Sequence, residues 1–183
     1  ALQGKEINLE KAPANNLVFL LDVSGSMDAP NKLGLLKESL KLLVNQMREQ
    51  DKVAIVVYAG AAGLVLPATN DKTKIVAALD ELSAGGSTAG GKGINLAYKI
   101  ALENFSKKGN NRVILATDGD FNVGVSSTKD LEKLIVEKRK DNIFLTVLGY
   151  GMGNYKDNLM EILADKGNGN YAYIDNFKEA KKT

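Results

Sequence analysis

Residues 17–27 read Leu17-Val18-Phe19-Leu20-Leu21-Asp22-Val23-Ser24-Gly25-Ser26-Met27. Five consecutive apolar residues followed at once by polar ones are typical of a short parallel strand that is covered on both faces. If the turn after the strand stays extended, alternation directs the oxygens of Asp22, Ser24 and Ser26 toward one spot, and Gly25 allows the chain to bend. The stretch therefore predicts a buried strand that ends in three oxygen-bearing side chains.

Similar apolar runs recur along the chain and alternate with amphipathic stretches. Runs at 53–57, 113–116 and 143–148 predict three more central strands, and 64–66 and 171–174 predict edge strands. Apolar residues at helical spacing predict helices over about 33–47, 72–82, 94–105, 129–140 and 156–165, with Gly109-Asn110 ending the third. Strands alternating with helices indicate a doubly wound α/β sheet. The first 14 residues are polar and are interpreted as a linker or a remnant of a preceding region.

The composition excludes several kinds of chemistry. The 183 residues contain no His, no Cys and no Trp, so a zinc cage of nitrogen and sulfur ligands, a Ser-His-Asp or Cys-His nucleophile and a disulfide framework are all excluded. A net charge of +2 with interspersed charges predicts no nucleic-acid partner. No apolar run approaches the ~20 residues of a membrane span.

Polar residues follow two of the predicted central strands. Ligands of open parallel sheets bind beyond the carboxyl ends of the strands, where the sequence places Asp22-x-Ser24-x-Ser26 and Thr117-Asp118-Gly119. Hydroxyl and carboxylate oxygens suit Mg²⁺, Mn²⁺ or Ca²⁺ better than zinc or copper. On the first motif alone, Asp and Ser as ordinary turn formers remain an alternative. A calcium-loop interpretation fails, because Met27 stands where Gly is needed.

Two glycine-rich segments partly match nucleotide-binding motifs, but neither match is complete. Residues 86–93 form G-x-x-x-x-G-K-G, but Gly93 replaces the Ser or Thr that would bind Mg²⁺, and a helical pattern precedes the run where a strand is required. A flexible connection is the simpler interpretation unless Thr88 has a specific role. The cluster at 149–153 lacks the third glycine of a dinucleotide motif and indicates a tight turn.

Taken together, three segments resemble the metal-ion-dependent adhesion site (MIDAS) of von Willebrand factor type A (VWA) domains. They are the D-x-S-x-S from Asp22, Thr88 in a glycine-rich loop before a helix, and Asp118-Gly119 after a later strand. The sequences around Asp22 and Asp118 are most similar to those of bacterial VWA-containing proteins. The resemblance implies a three-layer α/β/α sandwich over residues 15–183, with a mostly parallel six-stranded sheet and one antiparallel edge strand.

The resemblance also implies a ligand set and a function. Ser24, Ser26 and Thr88 would supply hydroxyl ligands to a divalent ion, usually Mg²⁺, and Asp22 and Asp118 would bind directly or through water. An Asp or Glu of a partner protein would complete the shell, which predicts an interaction module of a longer chain, with no enzymatic activity. The alternative is a Mg²⁺-dependent phosphatase or phosphoryl-transfer domain. The location stays open, with an envelope or extracytoplasmic setting favoured over the cytoplasm.

Overall fold

A central sheet organises the protein. The computed structural model describes residues 12–59, 61–86, 90–119, 128–151 and 157–182. The strands are β1 (Asn15–Asp22), β2 (Lys52–Tyr58), β3 (Ala62–Thr69), β4 (Asn110–Thr117), β5 (Ile143–Tyr150) and β6 (Tyr171–Ile174). The helices are α1 (Leu35–Asn45), α2 (Lys72–Asp80), α3 (Gly90–Glu103), α4 (Thr128–Lys140), α5 (Asp157–Lys166) and α6 (Phe177–Ala180).

The strand order β3-β2-β1-β4-β5-β6 creates a switch point between β1 and β4. All neighbouring strands are parallel except β2 and β3, which are antiparallel. From β1 the chain continues to one side of the sheet, and from β4 it continues to the other, so a crevice opens at the carboxyl ends of these two strands. The predicted six-stranded, mostly parallel sheet with one antiparallel edge strand is confirmed.

Two apolar cores lie on opposite faces of the sheet, as the near-continuous apolar strands predict. Val18 and Leu20 of β1 belong to the core shared with α3, α4 and α5. Leu17, Phe19 and Leu21 belong to the core shared with α1 and α2. Because successive side chains of one strand enter different cores, β1 is buried on both faces and its polar end is fixed relative to both helix layers.

The structure differs from the expectations in two connections. Gly109-Asn110 does not end α3, which stops at Glu103; Asn110 instead begins β4. A Cβ at Gly109 would lie 2.5 Å from the Ala14 carbonyl oxygen, so this glycine permits a close approach of two backbones. The chain between β1 and α1 is also not extended throughout, because Gly25–Asp28 forms a 3₁₀ turn and Pro30–Gly34 forms a π-helical turn.

Within the described part of the chain, no helix combines the length and the hydropathy needed to cross a bilayer. The predicted linker over residues 1–14 lies mostly outside the described residues, which begin at residue 12. Its boundary stays a prediction.

Candidate metal site

Asp22 ends β1 at the switch point and is fully buried. Its Oδ1 accepts hydrogen bonds from the Ser24 backbone N–H at 2.9 Å and from Ser24 Oγ at 2.6 Å. Its Oδ2 accepts from Tyr58 Oη at 3.2 Å and from Thr117 Oγ1 at 3.1 Å. A carboxylate offers about four lone-pair sites, so these four bonds occupy the acceptor capacity of Asp22.

The two serines connect this buried carboxylate to the surface. Ser24 is buried, Ser26 is exposed, and their Oγ atoms lie 3.0 Å apart. A hydroxyl has one hydrogen, and that of Ser24 is donated to Asp22. Ser26 is therefore the donor in the contact between the serines, and Ser24 Oγ presents its lone pairs away from Asp22.

Asp118 follows β4 directly and places a second buried carboxylate at the same edge. The side chain of Lys32 reaches it from the Pro30–Gly34 turn, with Nζ 2.8 Å from Asp118 Oδ2. The same Nζ donates to the Ser26 carbonyl oxygen at 2.9 Å. An ammonium group therefore lies between the Asp22-x-Ser24-x-Ser26 motif and Asp118.

The glycine-rich loop is fixed to the first motif by its backbone. Gly85 N–H donates to the Val23 carbonyl at 2.8 Å, and Gly25 N–H donates to the Gly86 carbonyl at 3.0 Å. Thr88 lies outside the described residues, so its role as a ligand stays a prediction.

Gly93 shows why this loop departs from a phosphate-binding motif. It lies in the first turns of α3, where a Cβ would be 2.9 Å from Tyr58 Cβ and 3.1 Å from Leu20 Cδ1. A Ser or Thr at this position would separate α3 from the sheet. The glycine thus serves close packing behind the site, beneath the tyrosine that donates to Asp22.

Burial and neighbouring charge shape the electrostatics of the site. Burial raises the pKa of Asp22, the hydrogen bonds from Ser24 oppose that rise, and the charge of Asp118 adds to it. Burial followed by the charge of Asp22 raises the pKa of Tyr58 well above its ordinary value. Tyr58 is therefore a phenol that donates to Asp22, and the two aspartates are close enough to affect one another.

The chemistry of these donors fits a divalent cation. Asp22, Ser24, Ser26 and Asp118 offer only oxygen, and the Lys32 ammonium already marks a position that attracts positive charge. Among the described residues no cluster contains three or more His, Cys, Asp or Glu side chains. Such a site would thus depend on hydroxyl ligands in addition to its two carboxylates, which is compatible with a hard cation that retains water.

Comparison with known proteins identifies the family. Residues 16–183 match the family model of the von Willebrand factor type A domain. The chain belongs to the VWA family. VWA domains are generally interaction modules, and many act in metal-dependent adhesion.

Two relatives give the extent of the likeness to this VWA domain. YfbK of Escherichia coli strain K12, an uncharacterized protein, is 49% identical over 180 residues, which cover 97% of this chain and 31% of YfbK. The chain thus spans about a third of the length of that relative. The crystal structure of BatB from Bacteroides thetaiotaomicron shares the fold, with a TM-score of 0.75 at 24% identity over 92% of this chain and 94% of that one.

A third relative has been solved with a metal ion bound. The structure of proximal thread matrix protein 1 from the mussel byssus, described with a zinc-occupied MIDAS motif, is 25% identical to this VWA domain. It covers 90% of this chain and 42% of that chain, with a TM-score of 0.68. A divalent ion has therefore been seen in the MIDAS motif of that protein.

Three residues of this VWA domain were missed by sequence reasoning. Tyr58 is the strand partner of Asp22 in the parallel register of β1 and β2, so aligning the ends of the predicted strands could have found it. Thr117 belongs to the Thr117-Asp118-Gly119 motif, but its sequence position does not predict the hydrogen bond to Asp22. No sequence pattern predicts the contact of Lys32 with Asp118, because the two residues are 86 positions apart.

Proposed function

We propose that this VWA domain binds a divalent cation through Asp22, Ser24, Ser26, Thr88 and Asp118, and that a carboxylate of a partner protein completes the coordination shell. Mg²⁺ is the expected ion, with Mn²⁺ and Ca²⁺ as alternatives. The zinc in the mussel relative adds Zn²⁺ to the ions that must be tested, since Zn²⁺ also accepts oxygen ligands.

The observation that carries this proposal is the hydrogen bond from Ser24 Oγ to Asp22 at 2.6 Å. It directs the only hydrogen of Ser24 toward the buried carboxylate, so the hydroxyl oxygen is oriented as an acceptor for a cation. Asp22 also contributes its charge. Because its lone pairs are already in use, Asp22 acts on the cation through its charge and through Ser24, whose hydroxyl it orients.

An open coordination position follows from the same geometry. Ser26 is exposed, whereas Asp22, Ser24 and Asp118 are buried, so the site is closed toward the sheet and open toward solvent. Neutral hydroxyls leave much of the charge of a divalent ion uncompensated. An Asp or Glu from a partner supplies the hard, anionic oxygen that such an ion prefers. The general role of VWA domains as interaction modules supports a partner protein as the source of that carboxylate.

The phosphatase alternative is disfavoured by the surroundings of Asp22. A nucleophilic carboxylate needs a free oxygen directed at the substrate, but both oxygens of Asp22 accept two hydrogen bonds each. Ser24 also stands where an acidic residue would supply the second carboxylate of a D-x-D pair, and the chain has no His to act as a base.

The partner-completed shell can be tested with Mn²⁺ as the bound ion and acetate as the smallest partner carboxylate. Water-proton relaxation reports the exchangeable water on protein-bound Mn²⁺. We expect acetate to lower the relaxation enhancement and to tighten apparent Mn²⁺ binding, because the effects of two ligands on each other are reciprocal. Acetamide, which has the same shape and no charge, should do neither. Equal effects of acetate and acetamide would contradict the open, carboxylate-accepting position.

The cellular setting and the absence of catalysis remain hypotheses. We place the module in an envelope or extracytoplasmic setting, on the strength of the family resemblance. Fractionation of the cells that produce this protein, with antibodies to this domain, tests the setting. Turnover of phosphate esters that requires metal and disappears in Asp22→Ala would show that the domain is an enzyme.

A further inference from the structure

Lys32 makes two well-defined contacts at the candidate metal site. Its ammonium lies 2.8 Å from Asp118 Oδ2 and 2.9 Å from the Ser26 carbonyl oxygen. The Lys32 side chain is 21% exposed and that of Asp118 is 3% exposed. The pair is therefore shielded from water more than an ordinary surface ion pair, and its attraction is correspondingly stronger.

The backbone around Lys32 and the space over Gly151 determine the position of the Lys32 side chain. Met27, in the preceding turn, and Leu33, the next residue of the same turn, are buried in the core beneath α1, which fixes the backbone from which Lys32 extends. Gly151, directly after β5, has a φ of +58°, and a Cβ there would lie 2.8 Å from Lys32 Cγ and 2.9 Å from Cε. A side chain at position 151 would displace the lysine stem.

A divalent ion and this ammonium both need the carboxylate of Asp118. Repulsion between them scales with the product of their charges, and low local polarity strengthens it. Strong binding of the ion at Asp118 therefore requires that Lys32 withdraw from its position.

We propose that Lys32 is a tethered counterion that neutralises Asp118 in the metal-free domain and competes with the divalent cation for that carboxylate. This inference rests on the proposed function, since it assumes that Asp118 takes part in metal binding. Lys32 thereby lowers the affinity of the site for metal, and metal binding releases its ammonium toward solvent.

Dissociation constants for Mg²⁺ and Mn²⁺, measured by calorimetry on the purified domain, test the competition. Lys32→Met keeps most of the aliphatic stem and removes the charge, so we expect its affinity for metal to rise by about tenfold or more. Lys92→Met is the matched control, because Lys92 is an exposed lysine in the first turn of α3. It should change the affinity by less than about threefold, and added salt should cancel that change.

A second variant and a second readout keep the test decisive if Lys32→Met folds poorly. Gly151→Ala retains the charge but displaces the stem, so it should also tighten metal binding. In the wild type, saturating Mg²⁺ should increase the labelling of Lys32 by an amine-reactive reagent, followed by mass spectrometry of its peptide.

The possible results separate this inference from the function on which it rests. Metal binding that is equally tight in the wild type and in Lys32→Met, or a gain no larger than that of Lys92→Met, would overturn the competition while leaving the metal site intact. Absence of metal binding in the wild type and both Lys variants would overturn the metal site itself.

Discussion

A buried carboxylate such as Asp22 is stable only when hydrogen bonds replace the water that it loses on folding. Ser24, Tyr58 and Thr117 provide those bonds from three different segments of the chain. At the scale of single residues, the site is therefore already organised by Asp22, and a cation would meet hydroxyl oxygens whose orientation is fixed in advance.

Two buried tyrosines allow this view to be tested. Tyr58→Phe removes one of the four bonds to Asp22, and we expect it to lower the free energy of unfolding by about 1 kcal/mol. Tyr98→Phe is the matched control, because Tyr98 Oη is buried and no hydrogen-bond partner is found for it among the described residues. Urea unfolding of both variants measures the difference. Equal losses would show that the bond to Asp22 has no special weight.

At the scale of secondary-structure elements, Asp51 fixes the beginning of β1. It accepts hydrogen bonds from the backbone and side-chain nitrogens of Asn15 and from the backbone and guanidinium of Arg48. Burial alone would raise the pKa of Asp51, but the bonds from Arg48 and Asn15 outweigh it and lower the pKa from 3.8 to about 2. The contact ties the loop after α1 to the start of the strand that leads to the site.

A pH dependence follows from that lowered pKa. The folded state holds the ionised form more strongly than the unfolded state, so the stabilisation is complete above about pH 4 and is lost as pH falls toward about 2. Urea midpoints of wild type and Asp51→Asn should therefore differ most above pH 4, and the difference should shrink as pH falls through about 2. A difference that stays constant over this range would contradict the role of the ionised Asp51.

The approach of α3 to the sheet gives a second prediction at this scale. Gly93→Ala places a Cβ against Tyr58 and Leu20, so we expect a loss of about 1–3 kcal/mol from overpacking. A metal-induced stabilisation should weaken too, since Tyr58 donates to Asp22. Gly34→Ala is the control: nothing lies within 4 Å of its added Cβ, and it should be neutral or slightly stabilising. Thermal unfolding with and without Mg²⁺ distinguishes the two variants.

At the scale of the whole molecule, the strand order explains how distant motifs meet. β1 and β4 are neighbours at the switch point although Asp22 and Thr117 are 95 residues apart. The apolar runs predict these strands, and the polar residues that follow each of them predict a site beyond the carboxyl ends of both strands. The contact of Lys32 with Asp118 could not be predicted, because it depends on the path of a side chain over Gly151. The glycine pattern at 86–93 likewise does not predict the contact of α3 with Tyr58. That contact leaves no room for a side chain at position 93.

The measurement that tests the metal site most directly is the thermal unfolding midpoint of the domain during titration with Mg²⁺, Mn²⁺, Ca²⁺ and Zn²⁺. A ligand at 100 times its Kd stabilises the native state by about 2.7 kcal/mol, which corresponds to a rise of roughly 5–10 °C for a chain of this size. Asp22→Ala should abolish the rise, while Asp28→Ala, which removes an exposed carboxylate from the adjacent turn, should keep most of it. If no ion raises the wild-type midpoint at millimolar concentrations, or if Asp22→Ala responds as the wild type does, the domain does not hold a metal at this site.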